Sequence, residues 1–263
     1  MSLPFVDRSP TLREVEKLRL ILSTYQDGTG QLAATGRLTL PGWRGFERSV
    51  ALAFGGEAQE SKAIFDVLLL DPDREGIKYG VSCKMREMLR TVERTGRVTI
   101  EISNSAGKFW GALKANEFNE DNYERAPEKV GEILIDLVKS WHTAVSIESG
   151  GKVDLTGSFY LVLQWDKKAG YYQLYQFPLE LPNPETLQWS MAGRRLIGND
   201  CEGTLFEWYG HSGGQLKYYP FATQATWVSG RFQLEPLPEN KVGILRRVEE
   251  YFPEAWAEAC REQ

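Results

Sequence analysis

Cysteine and histidine are scarce in this chain of 263 residues, and their scarcity argues against several kinds of active site. The three cysteines, Cys83, Cys201 and Cys260, are odd in number and show no Cys-x-x-Cys spacing, so neither a disulfide framework nor a zinc site is expected. The two histidines, His142 and His211, lie beside no recognisable nucleophile motif, which disfavours a Ser-His-Asp or Cys-His hydrolase. The cysteine pattern fits a reducing compartment.

An excess of positive charge and a long apolar segment are also missing. The formal net charge is -5, so any polyanionic partner has to be met by a local basic surface. No stretch approaches the length of a membrane span, and the first residues, "MSLPFVDRSP", lack the basic and apolar pattern of a signal peptide. We therefore expect a cytoplasmic protein that makes no membrane contact.

Several segments carry the start signals, apolar spacing and stop signals of helices. They cover residues 11–28, which follow Ser9 and Pro10, residues 43–54, which are followed by two glycines, and residues 127–145, which begin at Pro127. Glu47 lies on the second of these helices. A C-terminal helical segment is interrupted at Pro253, because proline cannot continue a helix from its interior.

Strand signals lie between and after these helices. Two apolar strands are predicted at about 64–70 and 77–84, joined by the polar turn "DPDREG". The segment "VTIEISNSAGKFWGALKA" begins as a strand and ends as a helix, and "REMLRTVERTGR" before it is helical or turn-like. Beyond residue 148 the composition changes to aromatic strands with short turns.

This order predicts an α/β (α+β) fold with a central mixed sheet, flanking helices and a β-rich C-terminal half. No long linker divides the chain, so residues 1–263 are read as a single domain. Its predicted parts are a catalytic core at about 40–148, a β-rich half at about 149–235 and C-terminal helices at 240–262.

Two charges interrupt the apolar hairpin "IFDVLLLDPDREGIKYGVSCKM". Asp66 lies in the first strand, where burial of an unpaired carboxylate is costly, and Lys84 closes the second. A divalent-metal nuclease needs carboxylate oxygens for its cation and a positive charge near the attacked phosphate. Adjacent strand ends would bring Asp66 and Lys84 together for such a site, whereas the alternative is a paired core acid and a solvated lysine.

The hairpin resembles that of the PD-(D/E)XK nuclease superfamily, whose first strand carries an aspartate and whose second carries (D/E)-x-K. Glu47 matches an acid that many members carry on their first core helix, although an ordinary surface acid is the alternative. The resemblance covers roughly residues 40–115 and implies a restriction-endonuclease-like core with Mg²⁺ as cofactor. It further implies that Asp66 binds the metal, Lys84 positions water and stabilises the transition state, and Glu47 assists.

Ser82 stands where the family pattern places the second acid. Restriction endonucleases of the branch that cuts CCGG and CCNGG-type sites also have a neutral residue there and recruit a glutamate from the following helix. Resemblance to that branch implies that Glu101 replaces the acid, with Glu87 as the substitute if Glu101 lies on a strand that points elsewhere. It also implies that the backbone carbonyl of Cys83 is a metal ligand, whereas the Cys83 thiol is predicted to be buried on the opposite strand face.

Basic residues around this segment could contact DNA. Arg94 pairs in sequence with Glu93, and the pair matches one that the same branch uses to recognise bases through a two-pronged hydrogen bond. A solvated helix face explains the basic cluster equally well, and the aromatic strands after residue 148 either pack in the core and at a dimer interface or contact DNA. The residues predicted to bind DNA are Arg86, Arg90, Glu93, Arg94 and Lys108.

The resemblance implies a Mg²⁺-dependent type II restriction endonuclease that hydrolyses phosphodiester bonds in double-stranded DNA at a specific short site. It implies a homodimer, since a symmetric duplex site presents one strand to each subunit, and a cognate DNA methyltransferase in the same system. Two alternatives stay open. One is a catalytically inactive nuclease-fold module that binds DNA or protein, and the other is a DNA repair or recombination nuclease.

Overall fold

Residues 2–34, 38–59, 64–103, 105–238 and 243–260 are described by the structure, a computed structural model. The helices are α1 (Leu12–Thr24), α2 (Trp43–Phe54), α3 (Leu89–Thr95), α4 (Ala106–Ala115), α5 (Pro127–Thr143), α6 (Ile244–Tyr251) and α7 (Pro253–Ala259). The strands are β1 (Leu32–Ala33), β2 (Thr39–Leu40), β3 (Glu57–Ala58), β4 (Val67–Leu70), β5 (Lys78–Arg86), β6 (Ile100–Ser103), β7 (Phe159–Asp166), β8 (Tyr171–Pro178), β9 (Gln188–Ala192), β10 (Arg195–Asp200), β11 (Gly203–Tyr209), β12 (Gln215–Tyr218), β13 (Trp227–Val228) and β14 (Phe232–Gln233).

Local capping signals mark ends of α1, α2 and α5. Thr11 and Glu14 form a capping box that satisfies free N–H groups at the start of α1. Gly55 ends α2 in the left-handed conformation that glycine adopts without strain, and Pro127 occupies the first turn of α5. In the described part of the chain, no helix has both the length and the apolar character needed to cross a lipid bilayer.

The larger sheet is mixed, as the sequence predicts. Its strands follow the order β13-β8-β7-β5-β4-β3, with β14 also paired to β8. The pair β5–β7 is parallel and the other pairs are antiparallel. The long crossover between β5 and β7 contains α3, α4 and α5, because parallel neighbours need such a connection.

A second, five-stranded antiparallel sheet has the order β6-β12-β11-β10-β9. Its edge strand β6 comes from the N-terminal half of the chain and pairs with β12 from the C-terminal half. The pair β5–β7 joins the two halves in the same way. Strand pairing therefore crosses the predicted division near residue 148 in both sheets.

The larger sheet separates two apolar clusters. On one face, Leu18 of α1 and Phe46 of α2 pack against Val81 and Leu161. The cluster on the other face includes residues of α4, α5 and the five-stranded sheet. Successive residues of β7 belong to opposite clusters, as expected for a strand that is buried on both faces. The five-stranded sheet is thereby held over the open end of the hairpin β4–β5.

Candidate active site

The hairpin places Asp66 at the point where β4 begins. The strand starts at Val67, later than the predicted start at residue 64, because β4 pairs with β5 only from Val67 opposite Val81. The backbone N–H of Asp66 nevertheless donates to the Val81 carbonyl at 3.1 Å, which fixes its position beside β5. The turn is closed by Asp71, whose carboxylate accepts the N–H groups of Asp73 and Arg74.

Because β5 continues to Arg86, its last residues have no strand partner on the β4 side among the residues that the structure describes. The carboxylate of Asp66 takes the place of the missing strand: Cys83 donates its N–H to Asp66 Oδ2 at 2.8 Å. The N–H and C=O of one strand residue point to the same edge, so the Cys83 carbonyl also faces this side. Lys84 Nζ lies 3.4 Å from Asp66 Oδ2. The structure therefore brings Asp66 and Lys84 together at a half-buried position.

Glu101, the predicted replacement for the missing acid, lines the same cavity from the second sheet. Glu101 lies on β6 opposite Lys217 of β12 and lines the cavity that contains Asp66 and Lys84. Ser82 lines it too, with a buried side chain on the strand face it shares with Lys84. Glu87 is exposed and does not line the cavity. Although Glu101 is on a strand, it faces the site.

The cavity has a volume of about 660 Å³ and opens to solvent between the two sheets. Glu47 contributes to its wall from α2, and Lys108 contributes from α4. Its aromatic lining comes from three different elements. The sequence shows only that these residues have helical or strand spacing, which does not indicate that they face one cavity. These aromatic residues are Trp43, Trp141, His142 and Tyr160.

His142, in the last turn of α5, packs at the cavity wall. Its ring stacks on Phe65, with centroids 5.7 Å apart, and lies 6.2 Å from the ring of Tyr160. Burial, and secondarily the positive charge of Lys84, lowers the pKa of His142 to about 4. Its imidazole is therefore neutral near pH 7. The Tyr160 hydroxyl is buried without a hydrogen-bond partner among the described residues.

The shifted pKa of His142 predicts a loss of stability in acid. The unfolded chain binds a proton near pH 6.5, whereas the folded chain resists it down to about pH 4. The contribution of His142 to the free energy of unfolding is therefore fully present above pH 6.5 and is lost as the pH drops from 6.5 to 4. We expect a loss of about 2 kcal/mol, a value reduced to allow for the partial exposure of the ring. Urea unfolding at pH 7 and pH 4.5 should show a smaller difference for His142→Phe, which retains the ring stack. An equal difference in both proteins would contradict this assignment.

The predicted DNA-contacting residues do not lie together. Arg86 and Lys108 line the cavity, whereas Arg90 pairs with Asp166 and lies outside the lining. Glu93 pairs with Arg231 at 2.6 Å. The pair Glu93-Arg94 is exposed on α3 and is not part of the lining, because α3 packs against β7 and β8. Lys62 and Asn104, which the sequence adds to the basic and amide residues of this segment, fall outside the described residues.

The thiol of Cys83 is buried, as the strand alternation predicts. It belongs to the apolar cluster beneath α1 and α2, on the face opposite Ser82 and Lys84. Burial raises its pKa well above the ordinary value, with the nearby acids Asp66 and Glu47 acting in the same direction. A thiol in this environment is a poor nucleophile, and only the backbone of Cys83 faces the cavity edge.

The cavity offers few side chains that could hold a metal ion. Across the described ranges, no group of three or more His, Cys, Asp or Glu residues could hold a metal ion. Mg²⁺, however, takes only one or two protein carboxylates and completes its shell with water and phosphate oxygens. Asp66, Glu101 and the Cys83 carbonyl fit that smaller set. Glu101 is paired with Arg86, so its binding to a metal requires that Arg86 move away.

Comparison with known proteins adds no relative to this description: no family model, no curated protein and no solved structure matches the chain.

Proposed function

We propose that the chain is a Mg²⁺-dependent endonuclease of the PD-(D/E)XK type that cuts double-stranded DNA at a specific short site, as type II restriction endonucleases do. One observation carries this proposal. The carboxylate of Asp66 accepts the N–H of Cys83 and contacts Lys84 Nζ at the open end of the hairpin, in the cavity that Glu101 also lines. An acid and a lysine at this edge are what metal-assisted phosphodiester hydrolysis needs.

The order of elements supports a restriction-endonuclease-like core. Helix α2, which carries Glu47, precedes the antiparallel strands β3, β4 and β5, and β7 then pairs parallel to β5. This mixed sheet places Glu47 of the first core helix at the same cavity as Asp66. The helix acid, the hairpin acid and the lysine thus line one cavity, an arrangement that supports the resemblance.

The residues of this cavity divide the proposed chemistry among them. Asp66, Glu101 and the Cys83 carbonyl would hold Mg²⁺, which when bound supplies charge to offset that of the phosphate and lowers the pKa of a water. The ammonium of Lys84 orients the attacking water and stabilises the negative charge that develops on the phosphate oxygens. Glu47 assists from α2, and Lys108 contacts the DNA backbone from α4.

A second function is favoured by the serine at position 82. A nuclease-fold module that has lost catalysis and binds DNA or protein would keep the fold and the ion pair Lys84–Asp66 but no longer hold metal. A repair or recombination nuclease would share the catalytic residues and differ in yielding no discrete fragments. The homodimer and a cognate methyltransferase belong to the restriction proposal and rest on the resemblance alone.

Plasmid cleavage distinguishes these functions. We expect discrete fragments with Mg²⁺, no cleavage with EDTA, and a loss of roughly 10³-fold or more for Asp66→Ala, since a metal ligand is removed. Asp136→Ala, an exposed acid on α5 outside the cavity, is the matched control and should cleave normally. Full cleavage by Asp66→Ala would reject the site, a diffuse smear would favour the repair nuclease, and no cleavage by the native chain would favour the binding module.

A further inference from the structure

The cavity contains an ion pair that no step of the proposed hydrolysis uses. Arg86 lies two residues beyond Lys84 on β5 and therefore on the same strand face. Its guanidinium reaches across to Glu101 on β6, so the pair joins the two sheets at the cavity. Glu101 is the acid that would complete the metal site. In this structure its carboxylate is paired with the guanidinium of Arg86.

Burial makes this pairing consequential. Glu101 Oε2 is closed off from solvent and its side chain is 20% exposed, whereas that of Arg86 is 35% exposed. Separating the two residues without replacing either partner leaves an uncompensated charge in the cavity, which is costly. Each residue therefore leaves the other at the lowest cost when a new partner is present.

Two partners of the required charge meet at a nuclease site. A divalent cation can replace the guanidinium on Glu101, and a DNA phosphate can accept the released guanidinium through two parallel hydrogen bonds. We propose that Arg86 holds the place of the metal at Glu101, and that metal binding and DNA phosphate binding promote each other through its release. This inference rests on the proposed function and assigns a regulatory role to a residue predicted only to bind DNA.

Coupling of this kind is reciprocal, so it can be measured from either ligand. When metal is the only ligand, substitution of Arg86 removes the guanidinium that competes for Glu101, so metal binding should tighten. When DNA is the only ligand, Arg86 stays on Glu101, so its substitution should change DNA binding little. When both ligands are present, Arg86 contacts a phosphate, so its substitution should weaken DNA binding. An ion pair that only ties the two sheets together would produce none of these differences.

The first test is a Mn²⁺ titration of the full chain without DNA, in which free Mn²⁺ is followed by electron paramagnetic resonance. We expect Arg86→Gln to tighten binding by roughly tenfold, within the usual range of coupled sites. In the Glu101→Gln background the same change should have less than about a twofold effect. This comparison removes the general effect of deleting a positive charge. Arg125→Gln, an exposed arginine outside the cavity, is the control.

The outcomes of this titration distinguish a failure of the proposed metal site from a failure of the role proposed for Arg86. Binding that does not depend on Asp66 would reject the metal site and, with it, the role of Arg86. Asp66-dependent binding that Arg86→Gln tightens equally with and without Glu101 would leave the metal site in place and reject the role of Arg86. Should the glutamine variant fold poorly, Arg86→Met keeps the apolar stem, removes the charge and gives the same comparison.

The second test measures binding of a labelled duplex by fluorescence anisotropy, with Ca²⁺ or with EDTA. We expect Arg86→Gln to weaken binding roughly fivefold or more with Ca²⁺ and less than about twofold with EDTA. An equal loss in both conditions would show that Arg86 is an ordinary phosphate contact, independent of Glu101, and would overturn the coupling.

Discussion

Lys84→Ala should lower the rate of DNA cleavage by roughly 10³-fold while Mn²⁺ binding is retained, because the lysine stabilises charge that develops in the transition state. Lys84 Nζ lies 3.4 Å from Asp66 Oδ2, a distance at which the ammonium can reach both the carboxylate and a water in the cavity. Removing it leaves Asp66 with less positive charge nearby, so a cation binds Asp66 no more weakly. This separates the role of Lys84 from that of Asp66, whose removal should lose both properties.

The rate constants and the metal titration should be measured on the same preparations. Lys84→Arg should recover only part of the rate, since a planar guanidinium does not reproduce the compact ammonium. Lys114→Ala, an exposed lysine on α4 outside the cavity, is the matched control and should cleave as the native chain does. A rate for Lys84→Ala within about tenfold of the native rate, or a loss of Mn²⁺ binding, would contradict the assignment of roles.

The helices could be predicted from the sequence because their signals are local. The capping box at Thr11, the stop at Gly55 and the proline at the start of α5 each act within a few residues of the helix end. The break between α6 and α7 at Pro253 has the same origin. The mixed sheet and the flanking helices follow from the order of these elements.

The pairing of distant strands could not be predicted in the same way. Strand β6 pairs with β12, more than a hundred residues further along the chain, and neither segment shows which partner it will find. That pairing nevertheless brings Glu101 to the cavity, because it places the five-stranded sheet over the end of β5. The exclusion of Glu93 and Arg94 from the cavity has the same cause: the position of α3 depends on packing against β7 and β8.

The hairpin β4–β5 shows how much structure the sequence of a single segment can predict. The turn, both strands and the meeting of Asp66 with Lys84 were predicted, since antiparallel pairing over a short turn leaves little freedom. The shift of Asp66 from the strand to the position before it was not predicted. It depends on where β4 begins to pair, and it allows the side chain to accept the N–H of Cys83 in place of a ladder bond.

Gly80 is the second position at which a small change should have a large effect. A Cβ atom at Gly80 would lie 2.3 Å from Cγ of Phe65, whose buried ring covers this part of β5 and stacks on His142. Gly80→Ala should therefore destabilise the fold by about 3 kcal/mol, the upper part of the range for overpacked cores. Phe65 directly precedes Asp66 in the chain, so the displaced ring should also move the carboxylate and slow cleavage.

Urea unfolding of a mutant cycle tests the cause of this effect. Phe65→Leu shortens the side chain, so in the Gly80→Ala background it should recover at least about 1 kcal/mol rather than add its own loss. Gly111→Ala on α4 is the control, because no described atom beyond the adjacent residues and the helix's own backbone lies within 4 Å of its added Cβ. It should be neutral or stabilise the helix slightly. If Gly80→Ala and Phe65→Leu instead destabilise additively, the close approach of Phe65 to Gly80 is not the cause of the destabilisation.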